Sequence, residues 1–280
     1  MNVLRKLRSR MGGRYSRSFD RLPGLELVEN PLTAQPKASR EIYQNLARAT
    51  AGQAYPEIDR FEERAGYAIA SEWLHDLALH TQVVIKTSPL CYAHGRVLYS
   101  ALSRYLGSVA VSESINILET GTARGFSSMC MAKALNDMGR SGKVVTFDFL
   151  PHRSPIYWNC IDDLERKKSR EELLAPWSEM VRKYLVFVQG DTQLMLPSVC
   201  IDRVHFAFLD GAHTYPDVLF EFAQITGSQY TGDVVVFDDY TPSQYPGIVA
   251  AVDEICNKYG YSPEKLSAHS GRGYVVAIKQ

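Results

Sequence analysis

The chain has 280 residues, 45% of them hydrophobic and 22% charged, proportions of a folded globular protein with a sizeable core, which exclude a disordered or fibrous chain. Lys+Arg and Asp+Glu both total 31, so the formal charge is zero and no whole-molecule field points to a specific nucleic acid. Five scattered cysteines without CxxC spacing argue against a disulfide framework or a cysteine zinc site. With no run of about 18 apolar residues and no apolar leader, the expected compartment is the cytoplasm.

Residues 1–38 read as a basic arm and linker. Arg5, Lys6, Arg8, Arg10, Arg14, Arg17 and Arg21 face one acid, Asp20, and Pro23, Pro31 and Pro36 punctuate the linker part. A solvated terminus is the preferred reading; weak peripheral contact with an anionic membrane is the alternative. Residues 39–110 read as a helical cap. Ile58, Phe61, Ala65, Ile69, Trp73 and Leu77 recur at helical spacing and predict one long amphipathic helix over 57–82, with a second over 92–106.

From residue 111 to 280 short apolar runs alternate with helical stretches, the pattern of a mostly parallel sheet with helices on both faces. Strands are expected near 115–119, 143–148, 185–189, 204–210 and 233–238, with helices starting near Ser127, Ser169, Pro216 and Pro246. KLSAH and YVVAIK flank Ser270–Gly273 and predict a terminal antiparallel hairpin.

The first strand runs into Glu119-Thr120-Gly121-Thr122-Ala123-Arg124-Gly125-Phe126-Ser127-Ser128 and then a helix. Glycines let a backbone approach a ligand closely, and a helix N-terminus offers free amide hydrogens, so this turn is a candidate nucleotide site. The spacing Glu-x-Gly-x-x-x-Gly departs from the dinucleotide pattern. The turn resembles motif I of class I S-adenosylmethionine-dependent methyltransferases, whose Rossmann-like seven-stranded sheet is then the expected fold. The resemblance implies that Glu119, Gly121, Thr122, Gly125 and Ser127 border the methionine part of S-adenosylmethionine. It also implies that Asp148, ending the second strand, holds the ribose hydroxyls, and that Gly190 and Asp191 border the adenine. Each of these residues alone is also ordinary turn chemistry.

Asp210 ends the fourth strand (FAFLDGAH) and Asp238 and Asp239 end the fifth (VVVFDDY), so all three are expected at the carboxyl edge of neighbouring strands, where open α/β sheets bind ligands. Three close carboxylates repel unless a cation neutralises them, and all-oxygen ligands suit magnesium or a similar divalent ion. The same residues resemble the metal triad of catechol-type and of macrolide-sugar and aminocoumarin-sugar O-methyltransferases. The sugar-modifying enzymes place a base where His213 stands, which implies catalytic roles for His213 and Asp210. Against this, Asp210 before Gly211 suits a plain turn, and Asp238 and Asp239 suit helix or loop caps.

The expected activity is magnesium-assisted O-methyl transfer to a small-molecule acceptor such as a sugar, a glycosylated natural product or a phenol. A metal-independent methyltransferase and a non-catalytic S-adenosylmethionine-binding protein are the alternatives. A lid is one explanation of the long segment 151–168, with Tyr157 and Trp158 covering an acceptor ring, while packing is the commoner role for any one of the 16 tyrosines. Arg124 and Arg272 are expected to be surface-solvated, with contact to an anion as the alternative, and the cap either covers the site or makes a homo-oligomer.

Overall fold

A computed structural model describes residues 34–36, 38–211, 213–268 and 271–280. The basic arm lies almost wholly outside these residues. The chain begins with four helices, α1 (Arg40–Ala51), α2 (Pro56–Ala65), α3 (Ser71–Thr81) and α4 (His94–Ser108). Next come β1 (Ile115–Thr120), α5 (Phe126–Asp137), β2 (Gly142–Asp148), α6 (Arg170–Leu173), α7 (Ser178–Tyr184) and β3 (Leu185–Gln189). The remainder is α8 (Thr192–Met195), β4 (Phe206–Leu209), α9 (Tyr215–Thr226), β5 (Val234–Phe237), α10 (Pro246–Tyr259), β6 (Tyr261–Ser267) and β7 (Gly273–Lys279).

The single long helix expected over 57–82 is two. Gly66 adopts φ +77° and closes α2 with its amide on the Glu62 and Glu63 carbonyls, a left-handed cap that glycine enters without a β-carbon clash. The apolar spacing continues past the break because α2 and α3 bury the same kind of stripe, so periodicity alone does not reveal it. The helix α1 adds a further element that the apolar spacing does not single out.

The seven strands form one sheet in the order β3-β2-β1-β4-β5-β7-β6. The first five run parallel, and β7 is antiparallel to both β5 and β6. In β4 and β5 every residue is buried, as a sheet covered on both faces requires. Alternation decides which face each residue serves. Ile115, Ile117, Phe206, Phe208, Val234 and Val236 pack with α2, α3, α4 and α5, whereas Leu118, Ala207, Leu209, Val235 and Phe237 pack under α9 and α10. The N-terminal helices thus share a core with the sheet. The order reverses at β1, whose neighbours are β2 and β4, and this is where a ligand crevice forms.

The reading of 151–168 as a lid covering an acceptor with Trp158 is corrected. Trp158 is fully buried with Cys160 and Leu173, and its indole donates to the Lys168 carbonyl at 2.8 Å. Asp163 accepts three backbone amides of residues 158–160, and Asn159 is tied to Tyr43 and to the Ile85 carbonyl, so the segment is a fixed bridge between sheet and cap. Among the described residues no helix is long and apolar enough to cross a membrane.

Candidate active site

The turn after β1 wraps over the start of α5. Gly121 has φ +86°, and a β-carbon there would stand 2.2 Å from the Asp210 carbonyl oxygen, so only glycine lets the turn lie against the end of β4. Beside it opens a cleft of about 280 Å³ lined by Gly121, Asp148, Phe149, Gly190, Asp191 and Glu221, among others. Asp148 accepts from the Ala123 amide at 2.5 Å and the Leu150 amide at 2.7 Å, and faces Arg170 at 3.4 Å. Asp191 caps α8 through the Gln193 amide. Glu119, Thr122, Gly125 and Ser127 are buried and are not among the residues that line the cleft. The Thr122 hydroxyl is taken by Thr146, and Ser128 donates to Glu119.

Glu119 is fully buried, with one carboxylate oxygen lacking a partner. Burial pushes its carboxyl above the usual range, against hydrogen bonds from Ser127, Ser128 and Thr146. Glu221 of α9 borders the same cleft. One of its oxygens accepts from Thr120 at 2.8 Å, the other has no partner, and burial raises its carboxyl to about 7. The unpartnered oxygen of Glu221 on the cleft and the exposed ring of Phe149 suit a ligand with a cationic end and a flat apolar end.

The carboxyl edge of β4 and β5 carries the acids. Asp210, His213 and Asp239 present ligand atoms within 4.8 Å of one another. His213 Nε2 meets Asp239 at 3.2 Å, and that hydrogen bond raises the imidazole above its ordinary value. Burial, then Asp238 and Asp239, push the Asp210 carboxyl well up. Asp239 holds φ +52°, a left-handed conformation that aspartate tolerates better than most residues.

Two expectations are corrected here. Arg272 is not solvated: its guanidinium grips Asp238 with Nη2 at 2.5 Å and Nε at 3.2 Å, and Nε lies 3.6 Å from Asp239. Burial works against Asp238 ionising, but Arg272 and then His94 outweigh it and hold its carboxyl low. Neutralisation of the three acids therefore comes partly from within the chain, through Arg272 on Asp238, while the side chains whose ligand atoms lie within 4.8 Å of one another are Asp210, Asp239 and His213. Arg124 is buried too, donating from Nε to the Trp158 carbonyl at 3.0 Å.

Residues 118–240 match a family model described as a methyltransferase domain. The solved structures agree in fold. An O-methyltransferase, TomG from Streptomyces achromogenes, is 18% identical with a TM-score of 0.54, over 76% of this chain and 92% of its own. The O-methyltransferase NovP is 16% identical with a TM-score of 0.53, over 87% of this chain and 100% of its own. No curated protein matches the chain in sequence.

Three residues of the sheet region and its cap escape the sequence reading. Glu221 sits on the buried stripe of α9 with Val218, Phe222 and Ile225, and an acid at that spacing is a signal the sequence did carry. Arg170, buried between Trp158 and Phe187, leaves one guanidinium nitrogen without a hydrogen-bond partner. Lys86 comes from the loop between α3 and α4. Burial, then Arg272 and Arg124, push its ammonium down to about 8.

Proposed function

We propose that the protein transfers the methyl group of S-adenosylmethionine to a hydroxyl oxygen of a small molecule, a sugar, a glycosylated natural product or a phenol, with help from a divalent cation. The observation that carries this reading is the grouping of Asp210, Asp239 and His213 next to the cleft of Gly121 and Asp148. Both structural neighbours bear the name O-methyltransferase, and the TomG structure holds S-adenosylmethionine, which supports the same acceptor atom and donor here.

In this reading Gly121 and the turn above Glu119 seat the methionine part, Asp148 takes the ribose hydroxyls, and Gly190 with Asp191 borders the adenine. The free oxygen of Glu221 on the cleft suits a cationic donor. Asp210 and Asp239 would hold the cation, which when bound makes an acceptor hydroxyl more acidic, and His213 beside them stays free as the base. The remaining work belongs to the chain. Asp239 accepts from His213 Nε2, which leaves Nδ1 free to take the hydroxyl proton, and Asp239 steadies the imidazolium that results. The acceptor oxygen forms its bond to the methyl carbon as the carbon–sulfur pair returns to sulfur, giving S-adenosylhomocysteine. Holding oxygen and carbon at about 3–3.5 Å supplies much of the rate.

Calorimetric titration of magnesium and of S-adenosylmethionine into wild type and Asp210→Ala tests the cation. The variant should bind magnesium at least about tenfold more weakly while keeping its affinity for the donor. Equal magnesium binding by both proteins refutes the assignment.

A further inference from the structure

Lys86 stands at the end of Val83-Val84-Ile85, which is buried against Tyr43 and Leu90. The loop it belongs to is fastened on both sides of the proposed site. On one side Asn159 donates to the Ile85 carbonyl at 2.8 Å, next to Trp158, whose carbonyl Arg124 holds. On the other side Cys91 meets the Tyr274 hydroxyl at 3.7 Å, and Tyr274 lies under the Arg272 guanidinium at 5.8 Å. These two fastenings hold the loop that carries Lys86 between the Trp158 carbonyl bound by Arg124 and the Tyr274 ring under Arg272.

The cations there are unequally matched. Arg272 pairs with Asp238 and Asp239. Arg124 spends its donors on a peptide carbonyl, and among the described residues neither it nor Lys86 makes an ion pair. A partly buried ammonium without a carboxylate is costly unless a ligand supplies the missing charge. Thr87, Ser88 and Pro89 beside it are exposed, so the approach from solvent is open.

We propose that Lys86, offered by the N-terminal layer, binds an anionic group of the methyl acceptor, so that the acceptor is a hydroxylated carboxylate or phosphate ester rather than a neutral molecule. The proposal rests on the methyl-transfer reading of the same site. Lys86 acts as a specificity-determining residue. It positions the acceptor from the cap side while the hydroxyl lies toward His213 and Asp239.

The test is calorimetric titration of the full chain, loaded with S-adenosylhomocysteine, with matched probes: catechol and protocatechuate, glucose and glucuronate, ribose and ribose phosphate. The carboxylates and the phosphate are separate arms that tell the two sources of charge apart. Wild type should bind at least one charged member about tenfold more tightly than its neutral counterpart. Lys86→Met should bring the pair to near equality, and Lys86→Arg should keep most of the preference. No preference in wild type, or a preference that survives in Lys86→Met, overturns the proposal. Transfer of labelled methyl is followed in parallel. If no acceptor receives a methyl group yet Lys86 still governs anion binding, the methyl-transfer reading has failed and the anion site has not.

Discussion

Gly121 and Arg272 show how single side chains shape the proposed site. At Gly121 both the dihedral and the 2.2 Å approach to Asp210 forbid a β-carbon. Gly121→Ala should lower stability by at least about 1–3 kcal/mol in urea unfolding, and weaken S-adenosylhomocysteine binding more than a surface Gly→Ala change. Arg272 is the partner of Asp238, whose side chain is 1% exposed. Arg272→Met leaves that carboxylate buried and unmatched, which should cost about 3–5 kcal/mol. Adding Asp238→Asn should recover part of the loss because the remaining amide carries no charge, and unfolding of the double-mutant cycle measures the coupling. An Arg272→Met protein as stable as wild type contradicts the ion pair.

The helix α9 brings a buried acid to the cleft, and its register explains a pH effect. Glu221 titrates at about 7 in the folded protein against an ordinary value of 4.5. The folded-state value is raised, so the favourable contribution is fully present below about pH 4.5 and is lost as the pH rises through about 7. Glu221→Gln carries no charge to bury and should gain stability relative to wild type on going from pH 4.5 to pH 8, on the order of 2 kcal/mol by chemical unfolding. A stability difference that stays flat over that range refutes the assignment. Elements of this kind were largely legible. The apolar runs of β1 to β5 and the prolines opening α9 and α10 announce themselves locally, because strand burial and helix starts depend on neighbours in sequence. The split at Gly66 did not, since the stripe on α2 and α3 continues across it. Nor did the pairing of Asp238 with Arg272 or the place of Lys86. Arg272 lies 34 positions beyond Asp238, and Lys86 precedes the sheet altogether, so their meeting depends on which loops the topology brings together.

Across the whole molecule the N-terminal layer is built into the sheet's core. Tyr55, Ile58, Phe61, Leu74 and Leu102 share one apolar cluster with Ile117, Phe208 and Val236. Arg203 at the opposite end of the sheet ties Glu113 to Asp233, which also receives the Tyr105 hydroxyl of α4 at 2.8 Å. A fragment starting at residue 111 should therefore expose that face and fail to unfold cooperatively, as read by calorimetry; a sharp transition with native-like donor binding would show that the layer is dispensable. The central claim is methyl transfer to a hydroxyl at the edge of β4 and β5. Its most direct measurement is mass spectrometry of acceptors incubated with S-adenosylmethionine and magnesium, each hydroxylated acceptor beside its deoxy counterpart, with wild type and Asp239→Ala. A methyl ether is expected on a hydroxylated acceptor alone, with a rate about 100-fold or more lower in Asp239→Ala and unchanged S-adenosylhomocysteine affinity. Methylation of the deoxy counterpart, or an Asp239→Ala enzyme as fast as wild type, would contradict that claim.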